Sequence, residues 1–228
     1  MGQRIQPARS AALEDYAKTI YALQMREGGP VSTSALAERL DVSPGTVTSM
    51  LRRLADEELA TYEPYHGVGL TPAGERLALE VIRHHRLLEA YLAEALGMPW
   101  DQVHAEADVL EHYISEELEA LISDALGNPE VDPHGDPIPT ADLKMAEDTS
   151  LPLTQLQPGQ EALFVRISDS DGGMLRYLGE RGIAPGDRLQ LIGREPYGGP
   201  FVVSIDGETH SLGSELAAAI RVSPGSRG

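Results

Sequence analysis

The chain has 228 residues and a hydrophobic fraction of 41%, enough for one large domain or for about two or three smaller ones. It contains no cysteine, which excludes a disulfide framework and thiolate metal ligands. The net charge of −18 argues against a nucleic-acid binder, yet the acidity is local: residues 87–150 carry 16 acidic residues and one basic residue. No apolar run reaches the roughly 18 residues of a membrane helix, and residues 1–10 lack the apolar stretch of a signal peptide. We therefore expect a cytoplasmic protein with no membrane contact.

The first part of the chain, residues 1–71, has the pattern of a winged helix-turn-helix. Ser43 is a good N-cap and Pro44 suits the first position of the helix that follows it. Apolar periodicity and turn residues predict the elements in chain order. They are helices over 13–25, 34–40 and 44–56, and short strands over 59–62 and 68–70.

The helix over 44–56 is the candidate DNA-reading element. In this motif the N-terminal residues of the second helix reach base edges in the major groove. Small hydroxyls suit bases or phosphates, and arginines suit phosphates or guanine. A polar face on a helical bundle, or a winged helix that contacts only proteins, remain the alternatives. The candidate DNA-binding residues are Ser43, Thr46, Thr48, Ser49, Arg52 and Arg53, with Tyr65 and His66 at the tip of the wing.

The remaining chain divides into helical, irregular and β-type parts. Residues 72–127 read as two helices, over 72–96 and 101–126. Residues 128–150 are rich in Pro, Gly and Asp, which predicts a linker. Residues 151–228 contain short β-type runs between Gly and Pro turns, which favour a small all-β barrel.

Histidines and carboxylates recur at helical spacing in residues 72–127. His104, Asp108, Glu111 and His112 stand at i, i+4, i+7 and i+8, on one face of the predicted second helix. His85 and Glu89 form an i, i+4 pair on the first. Such ligands suit a divalent first-row metal. Ordinary salt bridges at a polar boundary are the alternative, and a metal-dependent hydrolase is another because bound metals activate water.

These features together resemble the diphtheria-toxin-repressor family of metal-dependent transcriptional regulators, in its manganese-regulator branch. The resemblance covers nearly the whole chain. It is carried by LEDY at 13–16, VSPGTVT at 42–48, LTPAG at 70–74, HRLLE at 85–89, the His and acid pattern of 103–112, and MLRYL at 174–178 with GIAPG at 182–186. It implies an α+β multidomain protein. The implied domains are a winged helix-turn-helix (1–71), a helical dimerisation and metal-binding domain (72–127), a linker (128–150) and an SH3-like β-barrel (151–228).

The resemblance also implies two neighbouring metal sites. One would use Asp15, Asp108, Glu111 and His112, and the other His85, Glu89 and His104 with an acid from the C-terminal domain. Asp171 is our choice for that acid, with Asp169 as the alternative. The chain departs from some manganese regulators at Lys18, where they have a second carboxylate.

The implied function is metal-dependent binding of double-stranded operator DNA by a homodimer, without enzymatic activity. Asp15 and Asp108 stand where iron-sensing members have Met and Cys, and such hard oxygen ligands favour Mn²⁺ or Fe²⁺. A winged-helix regulator that responds to an organic ligand, with a structural His and acid face, is the alternative.

Overall fold

A computed structural model describes residues 10–225 of the chain. These residues form two compact units: unit 1 contains 10–84, 111–114 and 139–145, and unit 2 contains 85–110, 115–138 and 146–225. The ends of the predicted first and last domains, 1–9 and 226–228, lie outside the described residues. No helix within the described range is long and apolar enough to cross a membrane.

Unit 1 opens with helices that are followed by a two-stranded antiparallel hairpin. The elements are α1 (Ala11–Glu27), α2 (Thr33–Arg39), α3 (Pro44–Asp56), β1 (Ala60–Glu63) and β2 (Gly67–Leu70). Apolar side chains from these elements share one core, which includes Leu13, Ile20, Leu36, Leu51, Leu54 and Val68. This arrangement confirms the predicted winged helix-turn-helix.

The start of α3 follows from local hydrogen bonding. The Ser43 hydroxyl accepts a hydrogen bond from the Thr46 backbone N–H at 3.2 Å, and Pro44 is the first helical residue. Such a cap satisfies one of the four backbone donors that every helix leaves unpaired at its start. Asp41 turns the chain between α2 and α3 with a left-handed φ of 50°.

The predicted helix over 101–126 is wrong, because two shorter helices replace it. They are α5 (Val103–Leu110) and α6 (Glu116–Ala125), and both follow the long helix α4 (Pro72–Glu94). The Ser115 hydroxyl accepts a hydrogen bond from the Leu118 N–H at 3.2 Å and so begins α6. Residues 111–114 between them belong to unit 1, where the side chains of Glu111 and His112 contact α1.

The C-terminal part of unit 2 is a six-stranded antiparallel sheet with strand order β3-β8-β4-β5-β6-β7. It also contains two helices that the strand pattern did not predict. Its core is formed by apolar residues such as Phe164, Ile167, Leu178, Val203 and Val222. The elements are β3 (Leu151–Pro152), β4 (Glu161–Ile167), α7 (Gly172–Gly179), β5 (Arg188–Arg194), β6 (Phe201–Ile205), β7 (Glu208–Leu212), α8 (Ser214–Ala219) and β8 (Ile220–Pro224).

The segment that we interpret as a linker contains a tightly packed turn in unit 2. The Asp132 Oδ1 atom accepts hydrogen bonds from the backbone N–H groups of His134 and Asp136, at 2.8 and 2.9 Å. The His134 carbonyl accepts a hydrogen bond from the Ile167 N–H of β4 at 2.9 Å. Gly135 has a φ of 85°, and a Cβ there would lie 1.9 Å from the Val165 carbonyl oxygen. Residues 132–136, which we call the buried turn, are therefore held against β4.

Candidate metal centres and nucleic-acid interface

Asp15, Glu111 and His112 converge in unit 1, and we call them centre A. Asp15 lies on α1, whereas Glu111 and His112 lie in the connection between α5 and α6. The His112 Nε2 atom is 3.1 Å from Asp15 Oδ1 and 3.5 Å from Glu111 Oε1. Each of the three residues offers a ligand atom within 4.8 Å of the others. The structure thus brings together three of the four residues that the resemblance grouped.

Glu14 orients the histidine of centre A, and the sequence analysis missed it. Its Oε2 atom lies 2.6 Å from His112 Nδ1. This bond favours the tautomer in which Nδ1 carries the hydrogen, which leaves the Nε2 lone pair directed at Asp15 and Glu111. Metal-binding histidines characteristically donate their second ring N–H to such a carboxylate. Because Glu14 directly precedes Asp15, spacing could not assign the two acids different roles.

Lys18 supplies a positive charge at centre A. Its Nζ atom lies 2.7 Å from Glu111 Oε1 and 2.9 Å from Oε2. The Glu111 side chain is fully buried, whereas that of Lys18 is 23% exposed. The ammonium therefore supplies a positive charge to a buried carboxylate. This indicates that the ligand atoms of centre A suit a cation.

His85, Glu89, His104 and Asp169 converge in unit 2, and we call them centre B. The Glu89 Oε1 atom is 3.0 Å from His85 Nε2 and 3.2 Å from His104 Nδ1. His104 Nδ1 is also 2.9 Å from Asp169 Oδ2. His85 and Glu89 are buried and the other two are half-buried. Two imidazoles and two carboxylates in this arrangement form a donor set that suits Mn²⁺, Fe²⁺ or Zn²⁺.

The attraction between the carboxylates and the imidazoles of centre B governs their pKa values. The hydrogen bond to Asp169, followed by that to Glu89, raises the pKa of His104 to about 10. Burial by itself raises the pKa of Glu89, but the neighbouring imidazoles of His104, His134 and His85 bring that pKa well below its usual range. The ionised carboxylates therefore hold His104 protonated, and a metal that binds its ring must displace that proton.

The structure corrects our choice between the two C-terminal acids. Asp171 caps α7, because its Oδ1 atom accepts hydrogen bonds from the N–H groups of Gly173 and Met174 at 2.8 and 3.2 Å. Asp169, the alternative, is the residue beside His104. Spacing could not separate two acids on one loop, since the cap depends on where α7 begins.

Asp108 has contacts with the histidines of centre B within unit 2. Its Oδ1 atom is 3.4 Å from His85 Nδ1, and its Oδ2 atom is 3.5 Å from His104 Nε2. Its side chain is 48% exposed. The resemblance assigned it to the other site, so within unit 2 its contacts differ from the expectation.

The candidate DNA-reading residues lie on α3 and on the hairpin, and all are exposed except the half-buried Thr48. Two hydroxyls are engaged locally: Ser43 Oγ is 2.9 Å from Thr46 Oγ1, and the Thr48 hydroxyl donates to the Pro44 carbonyl at 2.9 Å. Arg53 forms an ion pair with Glu57 at 3.4 Å. At the hairpin tip, Tyr65 is fully exposed with a left-handed φ of 70°, and His66 is exposed beside it.

A third convergent group, Glu89, Asp132 and His134, is fully buried in unit 2. The sequence analysis missed it because residues 128–150 have the composition of a linker. A signal was available in the run Asp132-Pro-His-Gly-Asp136, where a histidine lies between two aspartates.

The assignment of Asp169 predicts a change in the pKa of His104. In metal-free protein, Asp169→Asn removes the charge and the acceptor that raise this pKa, so it should fall by about 1 to 3. Asp171→Asn is the matched control and should leave the pKa of His104 unchanged, because Asp171 caps α7. NMR titration of the His104 ring measures both. A larger effect from Asp171→Asn would restore our original choice.

Comparison with known proteins identifies the family. Three family models match successive parts of the chain: the N-terminal DNA binding domain of iron dependent repressors at 10–68, their metal binding and dimerisation domain at 71–140, and the FeoA domain at 151–224. The iron-dependent repressor IdeR of Mycobacterium tuberculosis is 34% identical over 221 residues, which are 92% of this chain and 95% of the relative. The diphtheria toxin repressor of Corynebacterium efficiens is 32% identical over 220 residues, covering 92% and 94%.

Solved structures agree with these matches. A manganese-dependent transcriptional repressor in complex with manganese has a TM-score of 0.85 and 42% identity, and the match covers 93% of this chain and 99% of that one. The manganese regulator SloR has a TM-score of 0.73 and 30% identity over 93% and 98%. The chain therefore belongs to the iron-dependent repressor family of metal-dependent, DNA-binding transcriptional regulators.

Proposed function

We propose that this family member is a homodimer that binds double-stranded operator DNA when Mn²⁺, or alternatively Fe²⁺, is held at centres A and B. The observation that carries the proposal is centre A, where Asp15 of α1 meets Glu111 and His112 from a distant part of the sequence. Carboxylates and imidazoles without thiolates suit Mn²⁺ and Fe²⁺. Such donors bind Co²⁺, Ni²⁺ and Zn²⁺ more tightly, so metal availability in the cell decides among them.

Centre A supports a direct coupling between metal and DNA binding. Asp15, Glu111 and His112 would hold a divalent cation, which would supply the positive charge that the two carboxylates require. Asp15 belongs to α1, which packs on α2 and α3. Glu111 and His112 belong to the chain segment that joins α5 to α6. These residues therefore connect the winged helix-turn-helix, which we call the reading head, to the segment 111–114. The coupling free energy between two linked binding sites is typically about 1–3 kcal/mol.

The exposed face of α3 supports insertion into the major groove. Helix-turn-helix proteins place the N-terminal residues of this helix on base edges, and dimers place two such helices about 34 Å apart. Arg52 and Arg53 are exposed near the C-terminal end of α3, a position suited to phosphates. Thr46 and Ser49 lie nearer its start, a position suited to bases.

This division of roles is testable on one duplex selected from a random pool in the presence of Mn²⁺ and on one random duplex. Arg52→Ala should weaken binding to both and lower the salt slope by about one. Ser49→Ala should change the preference between them instead. Arg188→Ala removes an exposed arginine in β5 and serves as the control for net charge. Fluorescence anisotropy across a salt series measures the affinities, and equal effects from Arg52→Ala and Ser49→Ala would contradict the division.

Exposed apolar residues on α5 and α6 support a dimer. The sequence favours dimerisation through the helices of 72–126, whose apolar residues include Leu87, Leu88 and Leu92, but these three are buried within the single chain and so are not available to a partner. Large apolar side chains exposed on α5 and α6 are Val109, Leu110, Leu118 and Leu121. Exposed apolar surface of this kind marks interaction sites.

Leu121→Glu should convert the dimer to a monomer at micromolar concentration, because a carboxylate placed in an apolar interface loses its hydration without gaining a partner. Leu121 is 61% exposed in the single chain, so the substitution should not unfold it. Ile192→Glu is the matched control, since Ile192 is 49% exposed in the sheet of unit 2. Sedimentation equilibrium measures the mass. A wild-type monomer, with or without Mn²⁺, would exclude the proposed dimer.

The decisive variant is Asp15→Asn. Helix-dipole stabilisation is a weak explanation for this acid, because the effect fades beyond the first turn and the acid in the first turn of α1 is Glu14. We expect near-normal stability without metal, but metal binding at centre A weakened by more than about tenfold and DNA affinity that no longer rises with Mn²⁺. His104→Ala at centre B should leave more of the response intact. Isothermal titration and DNA anisotropy measure the two effects.

Two results would count against this mechanism. If Asp15→Asn retains the full Mn²⁺-dependent gain in DNA affinity, the reading head and the dimer are linked through other residues. If a chelator leaves the DNA affinity of the wild-type protein unchanged, a regulator responding to an organic ligand becomes the better description.

A further inference from the structure

The ring of His134 is fixed in orientation inside unit 2. It is fully buried, and its Nε2 atom lies 2.8 Å from the Trp100 carbonyl oxygen. A carbonyl can only accept, so Nε2 carries the hydrogen and donates it. The ring also stacks on Trp100 with centroids 5.8 Å apart and planes 22° apart. In the neutral imidazole the lone pair therefore lies on Nδ1.

The Nδ1 atom of His134 faces carboxylate oxygens. It is 3.7 Å from Glu89 Oε2 and 4.0 Å from Asp132 Oδ1. Within residues 10–225, neither His134 Nδ1 nor Glu89 Oε2 has a hydrogen-bond partner, and both atoms are inaccessible to solvent. Buried polar atoms without partners are rare in folded proteins. Something positive, a proton or a cation, belongs between them.

The surroundings of these atoms are acidic. Two arginines approach the acids of the buried turn. Arg166 Nη1 lies 3.0 Å from Asp136 Oδ1. Arg86 Nη2 lies 3.6 Å from the same oxygen, and Arg86 Nε lies 3.8 Å from Asp132 Oδ2, the oxygen that is not directed at His134. Glu89 Oε2 is left without a hydrogen-bond partner among the described residues, so the space between this oxygen and His134 favours positive charge.

We propose that Glu89, Asp132 and His134 hold a third divalent cation, with Glu89 using Oε2 here and Oε1 in centre B. Two donor atoms 3.7 Å apart can both bind one ion at the usual distance of about 2.1 Å. An imidazole that donates its other N–H to a backbone carbonyl is the arrangement typical of a metal-binding histidine. The set of one nitrogen and two carboxylates suits Mn²⁺, Fe²⁺ or Zn²⁺.

This ion would join α4 to the buried turn, and so to β4. Glu89 lies on α4, and the buried turn accepts the backbone hydrogen bond from Ile167 of β4. A cation on Oε2 would hold the Glu89 carboxylate in place for centre B, and to that extent the inference rests on the function proposed above. Because all three residues are buried, the ion should leave more slowly than those at centres A and B.

The test counts ions in the full-length protein after saturation with Mn²⁺ and dialysis. Wild-type protein should retain three per protomer, and His134→Gln should retain two. Glutamine places an amide N–H where Nε2 donates to Trp100 but offers nothing at the position of Nδ1, so it separates ligation from packing. Asp132→Asn is the second variant, because its amide oxygen still accepts the backbone hydrogen bonds of the turn. Matched thermal unfolding without metal verifies that both variants fold.

Fluorescence provides an independent readout. Trp100 is the single tryptophan of the chain and stacks on His134, so paramagnetic Co²⁺ or Mn²⁺ bound there should quench its emission. We expect a quenching phase that is slowly reversed by EDTA in the wild type and is absent in His134→Gln.

The alternative is a protonated His134 that forms an ion pair with Glu89. Two ions in both proteins, with no slow quenching phase and with the DNA response intact, would overturn the third site while centres A and B stand. Loss of Mn²⁺ binding at all sites would instead refute the proposed function together with this inference.

Discussion

The contact between Glu111 and Lys18 places a positive charge on a carboxylate that has no exposure to water. A buried carboxylate left without such a partner destabilises a protein by several kcal/mol, so the nearby Lys18 ammonium stabilises this arrangement of Glu111. On the function proposed above, a metal ion at centre A and the Lys18 ammonium compete for the same oxygens. Lys18 stands where some manganese regulators have a carboxylate. Its positive charge partly neutralises the carboxylates of centre A, which makes binding of a second metal ion there less favourable.

The same requirement organises centre B. Glu89 is buried among three imidazoles, which bring its pKa far below the usual range, while the acids hold His104 protonated. Protons on the imidazoles satisfy the carboxylates without metal, and on the function proposed above a divalent ion would replace those protons. Centre B would therefore remain folded in both conditions, as a sensor of changing metal concentration requires. The cost is that metal must displace protons, so binding to His104 should weaken as the pH falls.

The uneven charge of the chain has a consequence for DNA binding. Residues 87–150 carry most of the net charge of −18, and that part of the sequence includes six of the residues in the candidate metal centres. The negative charge of residues 87–150 repels the phosphates of DNA. Helix α3 must therefore reach the DNA without bringing this acidic region close to it. On the function proposed above, bound divalent cations would reduce the negative charge of this region, in addition to any effect on the geometry of the reading head. Both effects would act in the direction of tighter DNA binding with metal.

The sequence by itself determined the local elements and the ligand chemistry. Caps and apolar periodicity located α3 at Pro44–Asp56, and the His and acid spacing selected most of centres A and B, because these patterns depend on near neighbours in the chain. Only the tertiary structure decided the rest. It ended α5 before Glu111, where two side chains turn toward α1; it separated Asp169 from Asp171 by making one a helix cap; it paired Lys18 with Glu111; and it buried His134 in a segment with the composition of a linker. Each of these outcomes depends on which distant backbone a side chain meets, and residue spacing carries no information about that.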